Sequence, residues 1–373
     1  MTAIETYFHK FLANYQPYKS YWNYEDGCLL LGCERMYEAT GVTYYAEFLL
    51  DYLSQRVQAD GTIPSYLTKQ HCLDSFNCGK VLFFAERLTG DPRYRKAAKW
   101  QAEQLSAHPR TESGLCWHKD IYPQQVWIDG MYMAAPFFAE YARHTQENGI
   151  YDELRHWFCY AEAHLYDAQT GLYHHAVDET RTQAWADPET GCSKAHWLRG
   201  EGWYLMALCD TLALLPVSQG DFAKELTEAL SRACERLVAY RMPKDGLLCQ
   251  VPDKPALSGN YTETSGSLMA AYAFLLGTEL HVLPQRFKQI GLDMLDAVKS
   301  TKLRQGKLTD ICSAAGLGGA TNRDGSAEYY LSEPVVSDDP KGVGVLMMTE
   351  AARMRGIRQS LMQQTAASLR NAE

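Results

Sequence analysis

The sequence predicts an all-α fold, a barrel of six helical hairpins, on three observations. Apolar residues recur at helical spacing in twelve successive segments, as at Leu29, Leu30, Cys33, Met36 and Tyr37. Turn signals part the segments. The segments also alternate in polarity, the even-numbered ones being the less polar. A helix that is apolar all round is buried, and an amphipathic one covers it. Six inner and six outer helices then make a double-layered (α/α)6 barrel.

In chain order, the first helix is expected over 2–15 and the second over 26–39, ending at Thr40-Gly41. The third, 43–58, and the fourth, 73–89, lead to the turn Gly90-Asp91-Pro92. The fifth, 92–107, is charged through 94–104, whereas the sixth, 129–146, is apolar from 130 to 142. The seventh, 149–165, precedes a strand-like piece at 172–176. The eighth, 200–215, is apolar from 202 and stops at Pro216. The ninth, 220–241, is charged and precedes a second strand-like piece at 247–251. The tenth, 263–278, is apolar from 265, Pro284 opens the eleventh, 284–302, and the twelfth covers 341–357. The repeat is structural, with no clean sequence period. No linker is long or polar enough to divide the chain, so a single domain over 1–373 is expected.

Hydrophobic residues make up 46% of the 373, enough for a sizeable core. A net charge of -9 argues against nucleic-acid or anionic-membrane partners, which favour a basic face. A small anionic substrate needs only a few local basic groups. Residues 1–12 lack the pattern of a signal peptide, and no run is long enough to span a bilayer. The 11 cysteines form no CxxC pair, and Cys28 and Cys209 fall on apolar helical positions. A reducing, cytoplasmic setting is expected.

Polar or Gly-containing signatures open the inner helices: residues 22–27, Asp74, Asp129-Gly130, Arg199-Gly200-Glu201-Gly202-Trp203, 260–265 and Asp339-Pro340-Lys341-Gly342. If the inner helices run the same way, these ends meet at one mouth. Asp129 lies there among Trp127, Met131 and Tyr132, surroundings that disfavour the charged form of a carboxyl. The competing reading is a helix cap, and the helix dipole would lower the pKa. The sequence leaves that balance open. Asp74 has a similar frame, and two acids opening apolar helices point to carbohydrate acid/base chemistry. Aromatics beside acids at helix starts offer sugar-stacking surfaces.

His174-His175 is poorly placed to share a metal, because neighbours in a strand face opposite ways; one of the two is expected to line the sugar site. Arg199 between Trp197 and Trp203 reads either as a sugar platform with an Arg for a hydroxyl or carboxylate, or as a salt bridge with packed aromatics. His118-Lys119-Asp120 adds basic groups before Trp127. The Gly-rich stretch 315–319 lacks a following GK[ST] and a βαβ frame, and reads as a loop. No serine nucleophile elbow is present.

At these residues the chain resembles the unsaturated rhamnogalacturonyl hydrolases of glycoside hydrolase family 105. It resembles more distantly the unsaturated glucuronyl hydrolases of family 88. The matching motifs lie at 22–27, 73–80, 127–133, 171–178, 197–203, 260–267 and 324–344, nearly the whole chain. The resemblance implies an (α/α)6 barrel. It also implies removal of a Δ4,5-unsaturated galacturonyl residue from the non-reducing end of short pectin fragments, by hydration of the enol ether. A single carboxyl group can serve such a reaction as donor and then base; ordinary glycoside hydrolysis needs a pair. By resemblance, Asp129 is the acid/base and Asp74 the second acid, binding ring hydroxyls and tuning Asp129. His175, with His174 as the alternative register, is a site histidine, and Trp197 and Arg199 contact substrate. His118, Trp127 and Trp203 are further expected substrate-binding residues. Glu201 stands where the family often has Asn, which would put an extra charge near the pocket. No metal or cofactor is implied, and the partner is a small anionic oligosaccharide. The alternatives are a glucuronyl hydrolase, another barrel enzyme such as an epimerase or conventional glycosidase, or a non-catalytic sugar-binding protein.

Overall fold

A computed structural model describes residues 2–319 and 323–370, with side chains described through 357. The outer helices are α1 (Ala3–Ala13), α3 (Thr43–Ser54), α5 (Pro92–Ser106), α7 (Gly149–His164), α9 (Gly220–Ala239) and α11 (Arg286–Thr301). The inner ones are α2 (Tyr24–Thr40), α4 (Val81–Thr89), α6 (Ile128–Thr145), α8 (Leu198–Leu214), α10 (Thr264–Glu279) and α13 (Pro340–Arg370). A short α12 (Ala327–Ser332), not expected from the sequence, lies before the last. Local chemistry sets the ends. Gly41 and Gly90 close α2 and α4 with φ of 72° and 69°. Asp91 caps α5 through the Arg93 N–H, with Pro92 in its first turn.

Each inner helix packs on the next, and α13 returns to α2, closing an (α/α)6 barrel. That closing seam requires glycine: a Cβ on Gly344 would fall 2.2 Å from the Cys28 carbonyl oxygen. The inner helices are buried along most of their length, α10 from Thr264 to Thr278 without interruption. The outer helices bury one face, as α9 does with Phe222, Leu226, Leu230 and Leu237.

Two expectations change. The fourth helix is α only from Val81; Leu73–Lys80 is wound as a tighter 3-10 segment. The piece at 247–251 forms no strand pair beyond an isolated bridge, Cys249 to Thr262. The piece at 172–176 is borne out in part. It contains β3 (Leu172–Tyr173), which pairs with β2 (Tyr166–Asp167), and reaches the start of β4 (Ala176–Asp178), which pairs with β1 (Gln125–Trp127). All 11 cysteines are free thiols. Among the described residues, no helix is long and apolar enough to cross a membrane.

Candidate active site

The starts of the inner helices meet at one end of the barrel. The Tyr24 hydroxyl, pushed well above its usual range first by burial and then by Glu25, lies within electrostatic reach of Arg199, Asp74 and Asp339. These residues come from the starts of four inner elements.

Strand pairing assembles the site around α6. β1 runs directly into α6, and its pairing with β4 sets Trp127 opposite Ala176. The Ile128 N–H then donates to the His175 carbonyl at 2.9 Å, which ties His175 to the start of α6. On the other side, the Leu73 N–H donates to the His118 carbonyl at 3.0 Å, and Cys72 bridges to Lys119. Asp74 is thereby placed against the Lys119 ammonium at 2.6 Å, with His118 Nε2 at 3.7 Å. Close approach is needed here too: a Cβ on Gly130 would lie 3.1 Å from Leu73 Cδ1 and 3.2 Å from His118 Nδ1.

Asp129 is not a cap. The N-cap position is Trp127, with no side-chain cap bond, and Asp129 Oδ1 is buried without a hydrogen-bond partner. The residue is 9% exposed, and its carboxyl is pushed up to about 7. Burial is the largest cause and the charge of Asp74 the next; Lys119 and the first-turn N–H groups of α6 pull the other way and lose. Burial also works to raise Asp74, but the Lys119 ammonium outweighs it, and Asp74 sits below the usual carboxylate range. One acid of the pair holds a proton near neutral pH while the other is an anion.

Aromatic rings wall the pair. Trp127 stacks on His118 with centroids 4.6 Å apart and planes within 4°, and Tyr122 stacks on Trp127 at 4.6 Å. His175 meets Trp127 edge-on at 4.9 Å and Trp197 at 4.6 Å. The Nδ1 of His175 bonds the Tyr330 hydroxyl at 2.8 Å, while its Nε2 and the Trp197 Nε1 are buried without partners. Burial holds both His118, at about 3, and His175 well below the usual histidine range, so both rings are neutral. Buried polar atoms are normally satisfied. Asp129 Oδ1, His175 Nε2 and Trp197 Nε1 are three exceptions on the segments that open α6 and α8, and a polyhydroxylated ligand would supply their partners.

Arg199 is 1% exposed and lies over Trp197 at 4.8 Å. Its terminal nitrogens bond the carbonyls of Cys312 and Ser313 and the Ser265 hydroxyl. Only its Nε is buried without a partner. Glu263 braces the same corner, accepting from the Ser265 hydroxyl at 2.7 Å, the Gly266 N–H at 2.6 Å and the Cys312 N–H at 3.0 Å.

Two expectations are corrected. Trp203 is not a sugar platform: it is 1% exposed within the main apolar core and stacks on Tyr132 at 4.9 Å. The helical turn separating it from Arg199 carries it into the barrel. Glu201 does not stand as a free extra charge. Its Oε1 accepts the Tyr173 N–H at 2.6 Å, and burial pushes its carboxyl well above the usual range. Sequence reasoning named no role for Lys119 or Tyr330, although the segments holding them had been noted. Their roles arise from contacts 45 and 155 positions away, to Asp74 and His175, so no local pattern reports them.

The sequence profile described as Glycosyl Hydrolase Family 88 matches residues 3–356. A family 105 glycoside hydrolase of C. acetobutylicum ATCC 824, of solved structure, superposes with a TM-score of 0.90 at 36% identity, covering 94% of this chain and 99% of that one. Protein Atu3128 of Agrobacterium fabrum is 43% identical over 230 residues, 59% of this chain and 97% of its own length. The unsaturated rhamnogalacturonyl hydrolase YesR of Bacillus subtilis is 26% identical over 285 residues, 74% of this chain and 76% of its own.

Proposed function

The chain belongs to the glycoside hydrolases of families 88 and 105, and from that premise we propose that it removes a Δ4,5-unsaturated galacturonyl residue from the non-reducing end of short rhamnogalacturonan fragments. One observation carries the reading. Asp129 is a carboxyl held protonated to about pH 7, beside an anionic Asp74 and between aromatic walls. The similarity to YesR supports the rhamnogalacturonyl part.

Asp129 donates its proton to C4 of the enol ether, and positive charge develops at C5 and the ring oxygen. Water adds at C5 and returns a proton to Asp129. The hemiketal opens by cleavage of the bond from C5 to the ring oxygen, and the neighbouring sugar departs from C1. The carboxyl ends as it began. Asp74 accepts hydrogen bonds from ring hydroxyls, and its charge keeps the proton on Asp129. His175 Nε2 and Trp197 Nε1 bond the sugar, Trp127 and His118 form the stacking wall, and Arg199 fixes the facing loop. The chain acts as one catalytic domain and, with free thiols throughout, works in the cytoplasm.

The test is to mix the protein with unsaturated rhamnogalacturonan disaccharide and follow the ultraviolet absorbance of the conjugated double bond. Decay in the wild type that Asp129→Asn abolishes supports the proposal. Decay only with an unsaturated glucuronyl disaccharide would move the substrate to that class. No decay with either would overturn the reading.

A further inference from the structure

His174 and His196 stand immediately before His175 and Trp197 in the sequence. The second pair forms the aromatic wall of the candidate site; the first pair meets on the other side of the same two segments. The rings of His174 and His196 lie 5.2 Å apart at 30°, and with Asp167 they bring three donor atoms within 4.8 Å of one another. We propose that Asp167, His174 and His196 form a divalent transition-metal site, selective for Zn2+, that clamps the two segments carrying His175 and Trp197.

The dimensions fit. Zinc holds imidazole nitrogens and carboxylate oxygens at about 2.0–2.2 Å, so donors on a tetrahedral ion lie roughly 3.4 Å apart. His196 Nε2 and Asp167 Oδ2 are 3.5 Å apart. Two imidazoles on one tetrahedral ion have centroids about 5 Å apart on the same geometry, matching the observed spacing.

The surroundings are those of a metal site rather than a chance cluster. A ligating histidine characteristically turns its other nitrogen toward a carboxylate. The Nδ1 of His196 faces Asp253 Oδ1 at 3.4 Å, and its Nε2 faces Asp167, with the Thr170 hydroxyl at 3.4 Å as the contact an ion would replace. His196 is 4% exposed, and the His174 Nδ1 is buried without a hydrogen-bond partner. Asp167 is oriented by the Thr170 hydroxyl at 2.7 Å and the Gln169 N–H at 2.9 Å. Asp167 and His174 are partly exposed, which gives an ion a way in. Two imidazoles and a carboxylate suit zinc better than magnesium or calcium, which take oxygen donors.

The experiment uses the full chain, stripped with a chelator and desalted, and titrated with Zn2+ by calorimetry and thermal melting. One Zn2+ per chain and a rise in Tm are expected. Asp167→Asn and His174→Gln, both at partly exposed positions, should abolish binding while keeping a native circular-dichroism spectrum. Asp253→Asn should weaken binding about 10- to 100-fold. Asp129→Asn, outside the cluster, should bind as the wild type does. Co2+ in place of Zn2+ should show tetrahedral visible bands without a thiolate charge-transfer band. No binding at millimolar Zn2+ would overturn the proposal and leave a His–carboxylate bridge. Binding unchanged in Asp167→Asn and His174→Gln, or a thiolate band, would overturn it by placing the ion elsewhere. The hydrolase reading does not depend on any of these outcomes.

Discussion

Asp74 and Asp129 occupy equivalent places at the starts of neighbouring inner elements, both inside the barrel mouth, yet they carry opposite charge states. Asp74 touches the Lys119 ammonium at 2.6 Å. Asp129, 55 positions later, presents an Oδ1 with no partner and is held near 7 by burial and by the Asp74 anion. A single salt bridge separates the two fates. It keeps one acid ionised, and that charge in turn discourages ionisation of the other. The pair therefore works as a unit, and each acid has a distinct test.

The largest effect is expected from Asp129→Asn, which should lower kcat about 10^3-fold, within the range for loss of a general acid–base, with little change in KM. Measured turnover within tenfold of wild type would dissolve the distinction between the two acids. The same substitution should alter stability with a definite sign. Asp129 binds its proton more tightly in the native chain, at about 7, than at its ordinary 3.8. Its contribution favours the native state at low pH and is lost as pH rises from about 4 through 7. Asp129→Asn should thus gain stability relative to wild type between pH 4 and pH 8, by a few kcal/mol at most. Paired urea melts at the two pH values check this.

Trp203→Ala should cost about 3–5 kcal/mol of stability, as for a buried aromatic, and leave KM for folded enzyme unchanged. A rise in KM without destabilisation would return Trp203 to the sugar. Next in size, Asp74→Asn removes the anion beside Asp129. The basic limb of the pH–kcat profile, where the donor loses its proton, should move to lower pH, and turnover at pH 7 should fall about fivefold for a one-unit shift. An unmoved limb would show that burial alone sets the pKa of Asp129. The smallest effect is expected for Tyr330→Phe, which frees His175 Nδ1. A KM increase of several-fold, about 1 kcal/mol, is predicted with kcat nearly unchanged.

The same contrast marks what a reader of the sequence can see. The twelve helices are legible because periodicity is local: α10 is apolar all round and α9 is striped, as their burial confirms. Asp129 and Asp74 are conspicuous because each stands at a helix start among large apolar and aromatic residues. Their protonation is not legible, because Lys119 reaches Asp74 only through the bridge of Cys72 to Lys119. Trp203 misleads because one helical turn advances about 5.4 Å along the axis, from the mouth into the barrel, and a motif read as a string has no depth. The neighbours His174 and His175 face opposite ways in a strand and cannot share a metal. His174 instead meets His196 from a distant segment. The 3-10 winding of Leu73–Lys80 leaves no periodic signature over so short a stretch.

The protonation of Asp129 is the claim on which the rest turns, and it can be measured without substrate. Protein labelled with 13C at the aspartate carboxyl carbons would be titrated by NMR, with Asp129→Asn assigning the signal. A carboxyl that titrates near pH 7 and disappears in the variant is predicted. A titration at or below the ordinary aspartate value of about 3.8 would contradict the account.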